Sequence, residues 1–190
     1  MEALKEAIRA WGKGIGTDIV KVDMFLNHRI DVALLFQMGQ AFYDAFQNEK
    51  VDCILTIEAS GIAAAVTTAH AFSDIPVVFA KKSPTTNVGN DVYVSKVYSF
   101  THRQESFIRV SKAYLQPGQR VLIIDDFLAN GEALIGLRDI VKQAGCELVG
   151  AGICIEKGFQ PGGKRLREEG IRIVSLATVT AIKDGEILLG

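Results

Sequence analysis

Cysteine, histidine and net charge are all scarce in this chain of 190 residues, and each scarcity removes a class of function. The three cysteines, Cys53, Cys146 and Cys154, are odd in number and have no zinc-type spacing, which argues against a disulfide framework and a thiolate metal cluster. Each lies in or beside an apolar run and reads as a buried free thiol. The three histidines, His28, His70 and His102, show neither ligand nor triad spacing. The formal net charge is −1, so the basic excess that nucleic-acid binding needs is missing. No apolar run reaches the roughly 18–20 residues of a membrane span. The start, MEALKEAIRAWGKG, is amphipathic and charged, unlike a secretory signal. There is no repeat, low-complexity tract or linker. The expectation is a soluble cytoplasmic protein with no membrane or nucleic-acid partner.

What is present suits a folded domain. Hydrophobic residues make up 48% of the chain and charged residues 23%, enough for a core and close to the globular norm of about 25%. The length fits a single domain, 1–190. Leu4, Ile8 and Trp11 recur at helical spacing, until Gly12, Gly14 and Gly16 break the pattern. Asp31 can cap a second helix whose apolar positions are Val32, Leu35, Phe36, Phe42, Tyr43 and Phe46. Short β-branched runs then alternate with helical segments: strands at 53–57, 76–80, 121–124, 148–155 and 171–176, with helices at 61–72 and 133–144. Near-continuous apolar strands in this alternation indicate an α/β fold, a mostly parallel sheet covered by helices on both faces. The polar segment 83–109 interrupts it. Residues 92–100 and 106–110 are placed to pair there as an antiparallel ribbon.

The densest signal is VLIIDDFLANGEAL at 121–134. A buried strand ends in Asp125 and Asp126, a turn follows from Phe127 to Gly131, and a helix opens. Ligands in open α/β sheets bind beyond the carboxyl ends of strands. A helix N-terminus there offers unpaired N–H groups to a phosphate, and paired carboxylates can accept hydrogen bonds from vicinal sugar hydroxyls. A ribose 5-phosphate group satisfies both. The plainer reading is a strand end and a helix cap.

This stretch resembles the 5-phosphoribosyl diphosphate (PRPP) motif of the type I phosphoribosyltransferases. More closely, the chain resembles the bacterial members that act on xanthine. The matching pieces are MEALK at the start, KVDMFLNHRID at 21–31, TIEASGIA at 56–63, PVVFAKK at 76–82, VYSFTHRQES at 97–106, the PRPP motif, and IEKGFQPG at 155–162. They span nearly the whole length. The loop departs from the superfamily, which carries threonines around its glycine, whereas here the run is Ala129, Asn130, Gly131, Glu132 and Ala133. Backbone N–H groups must then carry more of the phosphate binding.

The resemblance implies a pentosyltransferase that makes xanthosine 5′-monophosphate and pyrophosphate from xanthine and PRPP, with Mg²⁺ held mainly through substrate. Asp125 and Asp126 are the implied catalytic carboxylates, also available to the metal. Residues 129–133 bind PRPP with Ser60, Gly61 and Lys81, the last reaching pyrophosphate. Val20, Asn27, Phe127 and Lys157 face the base, Phe127 by stacking and Lys157 by donating to a purine carbonyl. Residues 1–30 and 156–190 form a small hood over a core at 31–155. Segment 83–109 is a lid, with Tyr98, Ser99 and Thr101 near its working end. A homodimer is implied. Two alternatives stay open: a PRPP-sensing regulator on the same fold, and an enzyme preferring another purine.

Overall fold

The computed structural model describes residues 1–83, 91–99 and 104–190. Helix α1 (Glu2–Trp11) buries Leu4, Ala7 and Ile8. A short hairpin follows, β1 (Lys13–Ile15) against β2 (Ile19–Lys21), and then a π-helical turn, Asp23–Asn27. Helix α2 (Val32–Phe46) is capped as expected: the Asp31 side chain accepts a hydrogen bond from the Leu34 amide at 3.0 Å. Its buried face differs from the expected one. Leu34, Leu35, Met38, Phe42 and Phe46 turn inward, while Val32 and Phe36 are exposed. The helix is apolar nearly all round, so its packing against α3 (Gly61–Ala71), not its periodicity, chooses the face.

The main sheet has six strands. They are β3 (Cys53–Ile57), β4 (Val77–Ala80), β7 (Arg120–Leu128), β8 (Glu147–Lys157), β9 (Ile173–Lys183) and β10 (Glu186–Leu189), in the order β10-β9-β8-β7-β3-β4. Every pairing is parallel except β10 with β9. Three expectations are exceeded. β7 does not stop at residue 124 but carries the acidic pair and Phe127 within the ladder, so the turn begins only after Leu128. β8 likewise runs through Lys157, and β9 is much longer than 171–176.

Two apolar clusters sandwich the sheet. One joins α1, α2 and α3 to Ile54, Leu122, Ile124 and Ile155. The other joins α4 (Glu132–Gln143) and the ribbon to Leu55, Val121, Ile123 and Ile153. The expected ribbon is present as β5 (Val92–Ser99) antiparallel to β6 (Gln104–Ser111). Thr101, His102 and part of segment 83–109 lie outside the described residues. A short helix, α5 (Gly162–Glu168), has no counterpart in the expectations. The two ends of the chain meet: Gly14 donates to the Gly185 carbonyl at 2.9 Å, and the Met1 ammonium donates to Leu176 at 2.5 Å. No helix among the described residues is long and apolar enough to cross a membrane.

Candidate active site

The carboxyl ends of β3, β7 and β8 open onto one region, which β7 enters with Asp125 and Asp126. Asp125 is 4% exposed, and Asp126 is half-buried. The Asp126 amide donates to Asp125 Oδ1 at 3.0 Å. Burial pushes the Asp125 carboxyl well above its usual range, and the neighbouring Asp126 charge pushes it further. Among the described residues no three metal-ligating side chains converge here.

Gly61 opens α3 directly against this pair. A Cβ at Gly61 would sit 2.3 Å from Thr56 Oγ1 and 2.8 Å from Asp125 Oδ1. Any side chain there would displace the carboxylate. The Thr56 hydroxyl is fully buried and makes no hydrogen bond among the described residues. Ser60 precedes α3 but its side chain does not cap the helix, so the hydroxyl is left for another partner. In the same turn the Glu58–Ala59 peptide is cis, and Glu58 Oε1 accepts from the Lys82 amide at 2.6 Å.

The two lysines after β4 are not equivalent. Lys81 pairs backbone to backbone with Arg109, and its ammonium lies 5.9 Å from the centre of the Phe79 ring. It lines a groove of about 460 Å³ together with Val77, Arg109 and Tyr114. The Lys82 charge, by contrast, acts on Asp125 and partly opposes the rise in its pKa. Sequence reasoning took up the two lysines together and chose Lys81. The bridge to Arg109 that sets the two lysines apart is invisible locally.

The loop of residues 129–133 follows β7. Gly131 has φ of 90°, a left-handed conformation that favours glycine, and it serves as the cap residue of α4. The α4 amides of residues 132–134 have no helical carbonyl ahead of them, as in any helix start. Asn130, Ala133 and Glu132 are all half-buried around this start.

Phe127 and Lys157 come together at the far side. The Lys157 ammonium lies 5.9 Å from the Phe127 ring centre and donates to the Asp18 carbonyl at 2.6 Å. Burial lowers its pKa, while Asp18 acts in the opposite sense. Asp18 belongs to the β1–β2 hairpin, so this bond draws that hairpin toward the end of β8. Val20 is buried in the core beneath the hairpin, and Asn27 is exposed at the end of the π-helical turn. Val20 thus shares a hairpin with Asp18, whereas Asn27 has no hydrogen bond to this group among the described residues.

One buried charge escaped sequence reading. Glu156, next to Lys157, is 6% exposed and receives both guanidinium nitrogens of Arg167 at 2.7 Å, with Ser175 donating at 2.5 Å. Arg167 holds its carboxyl below the usual range. A glutamate at the end of the apolar run ICIEK was the available signal.

Comparison with known proteins places the chain in a family. The family model "Phosphoribosyl transferase domain" matches residues 29–179. The chain is similar to "Xanthine phosphoribosyltransferase" of Clostridioides difficile, 52% identical over 187 residues and 98% of both chains. It is also similar to the protein of the same name from Laribacter hongkongensis, 51% identical over the full length of both. Among solved structures, adenine phosphoribosyltransferase from Rhodothermus marinus superposes with a TM-score of 0.75 at 22% identity, covering 94% of this chain and 100% of that one. The Giardia lamblia enzyme complexed with 9-deazaadenine gives 0.74 at 17%, covering 92% and 97%. The adenine enzymes share the fold at low identity. With a family match over most of the chain and relatives more than half identical along its whole length, this chain belongs to the phosphoribosyltransferase family.

Proposed function

We propose that the protein transfers the 5-phosphoribosyl group of PRPP to N9 of xanthine, giving xanthosine 5′-monophosphate and pyrophosphate in purine salvage. The observation that carries an oxopurine over adenine is Lys157. Its half-buried ammonium stands beside the Phe127 ring at the end of β8. It is a donor without acceptor capacity, suited to the carbonyl oxygens of xanthine and not to the amino group of adenine. The full-length relatives named for xanthine support the same reading.

In this reading Asp125 and Asp126 accept hydrogen bonds from the ribose hydroxyls. Their negative field favours the positive charge that develops on the sugar as the bond from C1′ to pyrophosphate breaks. The amides opening α4 and the loop 129–133 take the 5′-phosphate. The turn with Ser60 and Gly61 takes the pyrophosphate, and Lys81 belongs to the same group of contacts. Phe127 stacks on the base, and Val20 and Asn27 complete its surroundings in a hood formed by residues 1–30 and 156–190. Two carboxylates without a third ligand suit Mg²⁺, which keeps water and substrate oxygens in its shell. Asp125 and Asp126 would hold the ion together with PRPP, and it would supply charge neutralisation for the leaving pyrophosphate. The ribbon β5–β6 serves as the lid that excludes water.

The proposal extends to a homodimer in the cytoplasm, where the three free cysteines stay reduced. The groove along β4 and β6, with exposed Phe79 and Tyr114, is the surface offered for self-association. Light scattering on the purified protein measures the mass directly, and a monomer would remove that part.

The deciding experiment is turnover with PRPP and Mg²⁺, offering xanthine, guanine, hypoxanthine and adenine separately. Xanthosine monophosphate should form fastest. Lys157→Ala should then raise the KM for xanthine more than the KM for PRPP. Another nucleotide formed fastest would overturn the assignment of the base. PRPP binding without any product would mark a sensor on the same fold.

A further inference from the structure

Helix α5 follows Lys157 after a four-residue turn, closed by the Gln160 amide donating to the Lys157 carbonyl at 2.9 Å. It then packs under the loop that the proposed function assigns to the 5′-phosphate. The Gly162 amide donates to the Ala129 carbonyl at 3.1 Å. Arg165 Nη2 donates to the Asn130 carbonyl at 3.2 Å and stands 3.7 Å from the Glu132 carboxylate. Leu166 fills the space where a Gly131 side chain would lie, its Cδ1 only 2.8 Å from that point. Residues 129–132 are therefore all held by this one short helix. At its other end, Arg167 fastens α5 to Glu156, the strand residue before Lys157, with two bonds of 2.7 Å.

A loop that must present backbone amides to a phosphate cannot afford free rotation of its peptide planes. The loop's own side chains at 129, 130, 132 and 133 are alanine, asparagine, glutamate and alanine, none with a hydroxyl to hold a peptide plane. The Asn130 carbonyl is the group most in need of restraint. It belongs to the peptide whose amide is on Gly131, so its direction fixes the direction of that N–H. A cationic donor on that carbonyl sets the whole peptide plane and adds positive potential behind it.

We infer that α5 is a strut for the phosphate loop, that Arg165 is a positioning residue for the 5′-phosphate of PRPP, and that Arg167 with Glu156 ties this strut to the strand carrying Lys157. The inference rests on the proposed function, because it needs a phosphate at the loop. Arg165 acts through the peptide it orients. Its side chain is nearly half exposed and sits outside both apolar clusters, so its removal leaves the core intact.

The test compares wild type, Arg165→Ala and Arg165→Lys. Arg165→Ala should raise the KM for PRPP about tenfold, the loss expected for one charge-assisted hydrogen bond. The KM for xanthine should stay within about twofold. Calorimetric binding of ribose 5-phosphate should weaken by the same factor as PRPP. Arg165→Lys, which can still donate to the carbonyl, should recover most of the loss. An unchanged KM for PRPP overturns the inference, as does an equal rise in both KM values with a lowered Tm, the mark of general loosening. Failure of Arg165→Lys to rescue also overturns it. Wild type that neither turns over nor binds ribose 5-phosphate would instead overturn the underlying function, and the strut with it.

Discussion

The two edges of the main sheet treat charge in opposite ways. Where the parallel strands begin, carboxylates are answered. Glu49 meets Arg120 and Arg172, each at 3.1 Å, Arg120 also faces Glu147 at 3.4 Å, and Asp52 accepts from the Arg120 amide at 2.8 Å. Where the strands end, Asp125 and Asp126 stand side by side, and among the described residues neither is ion-paired. Glu156, on the next strand at that same edge, has its counter-charge in Arg167. The fold neutralises charge where only shape depends on it. Among the described residues it leaves two carboxylates without an ion pair, where in the proposed function a substrate would bring the hydroxyls and the cation.

The contrast extends to pH. The folded-state pKa of Asp125 is raised, by burial first and by Asp126 second. Its contribution favours folding fully below the ordinary carboxylate range and is lost as pH rises through the raised value. Glu156 is held down by Arg167, so its contribution is present above the ordinary range and is lost as pH falls through the lowered value. One acid makes the neutral-pH protein less stable, and the other makes it more so.

Five variants break or sharpen this comparison. The largest effect belongs to the bare edge: Asp125→Asn or Asp126→Asn should cut kcat/KM for PRPP by about 100- to 1000-fold. Asp125→Asn should at the same time raise Tm at neutral pH, since it removes a carboxyl whose ionisation burial and Asp126 oppose. A thermal melt that moves downward would refute the account of Asp125. Next comes the paired acid. Arg167→Ala strands Glu156 and should cost about 3 kcal/mol, a fall of roughly 6–12 °C in Tm for a chain of this size. Its stability–pH curve should also be shallower on the acid side. At the opposite edge Arg120→Ala should lose only about 1 kcal/mol, with kcat and both KM values unchanged. Reduced turnover in that variant would mean the edges are not separable. The smallest effect on stability is expected for Ser60→Ala. Its hydroxyl makes no cap bond, so denaturant unfolding should shift by less than about 0.5 kcal/mol, while the KM for PRPP rises about threefold.

Much of this was legible along the chain because apolar, β-branched runs leave a parallel strand few alternatives. β3, β4, β7 and β8 were recognisable on that ground, and the Asp31 cap on its own side chain. The ends of the elements were not. Asp125 and Asp126 read as the end of the strand and Phe127 as the start of the turn, because two carboxylates seldom continue a buried strand, yet the ladder to β8 carries on through Leu128. The outward turn of Val32 and Phe36 follows from docking on α3, which no window of sequence contains. Glu156 finds Arg167 only because α5 folds back beneath β8, and α5 itself is too short and too polar to show a periodicity.

The bond between Lys157 and Asp18 joins residues 139 positions apart in the chain. The acidic pair and its glycine neighbours are gathered from a far tighter stretch, between Thr56 and Ala133. As the chain leaves the ribosome, Asp18 waits for β8 before its carbonyl has a partner, by which time the strands around Asp125 have already been delivered. Closure of long loops is slow and comes late in folding. On this ground the proposed base pocket closes after the strands around Asp125 have been delivered and before the still longer loops that join Met1 to Leu176 and Gly14 to Gly185.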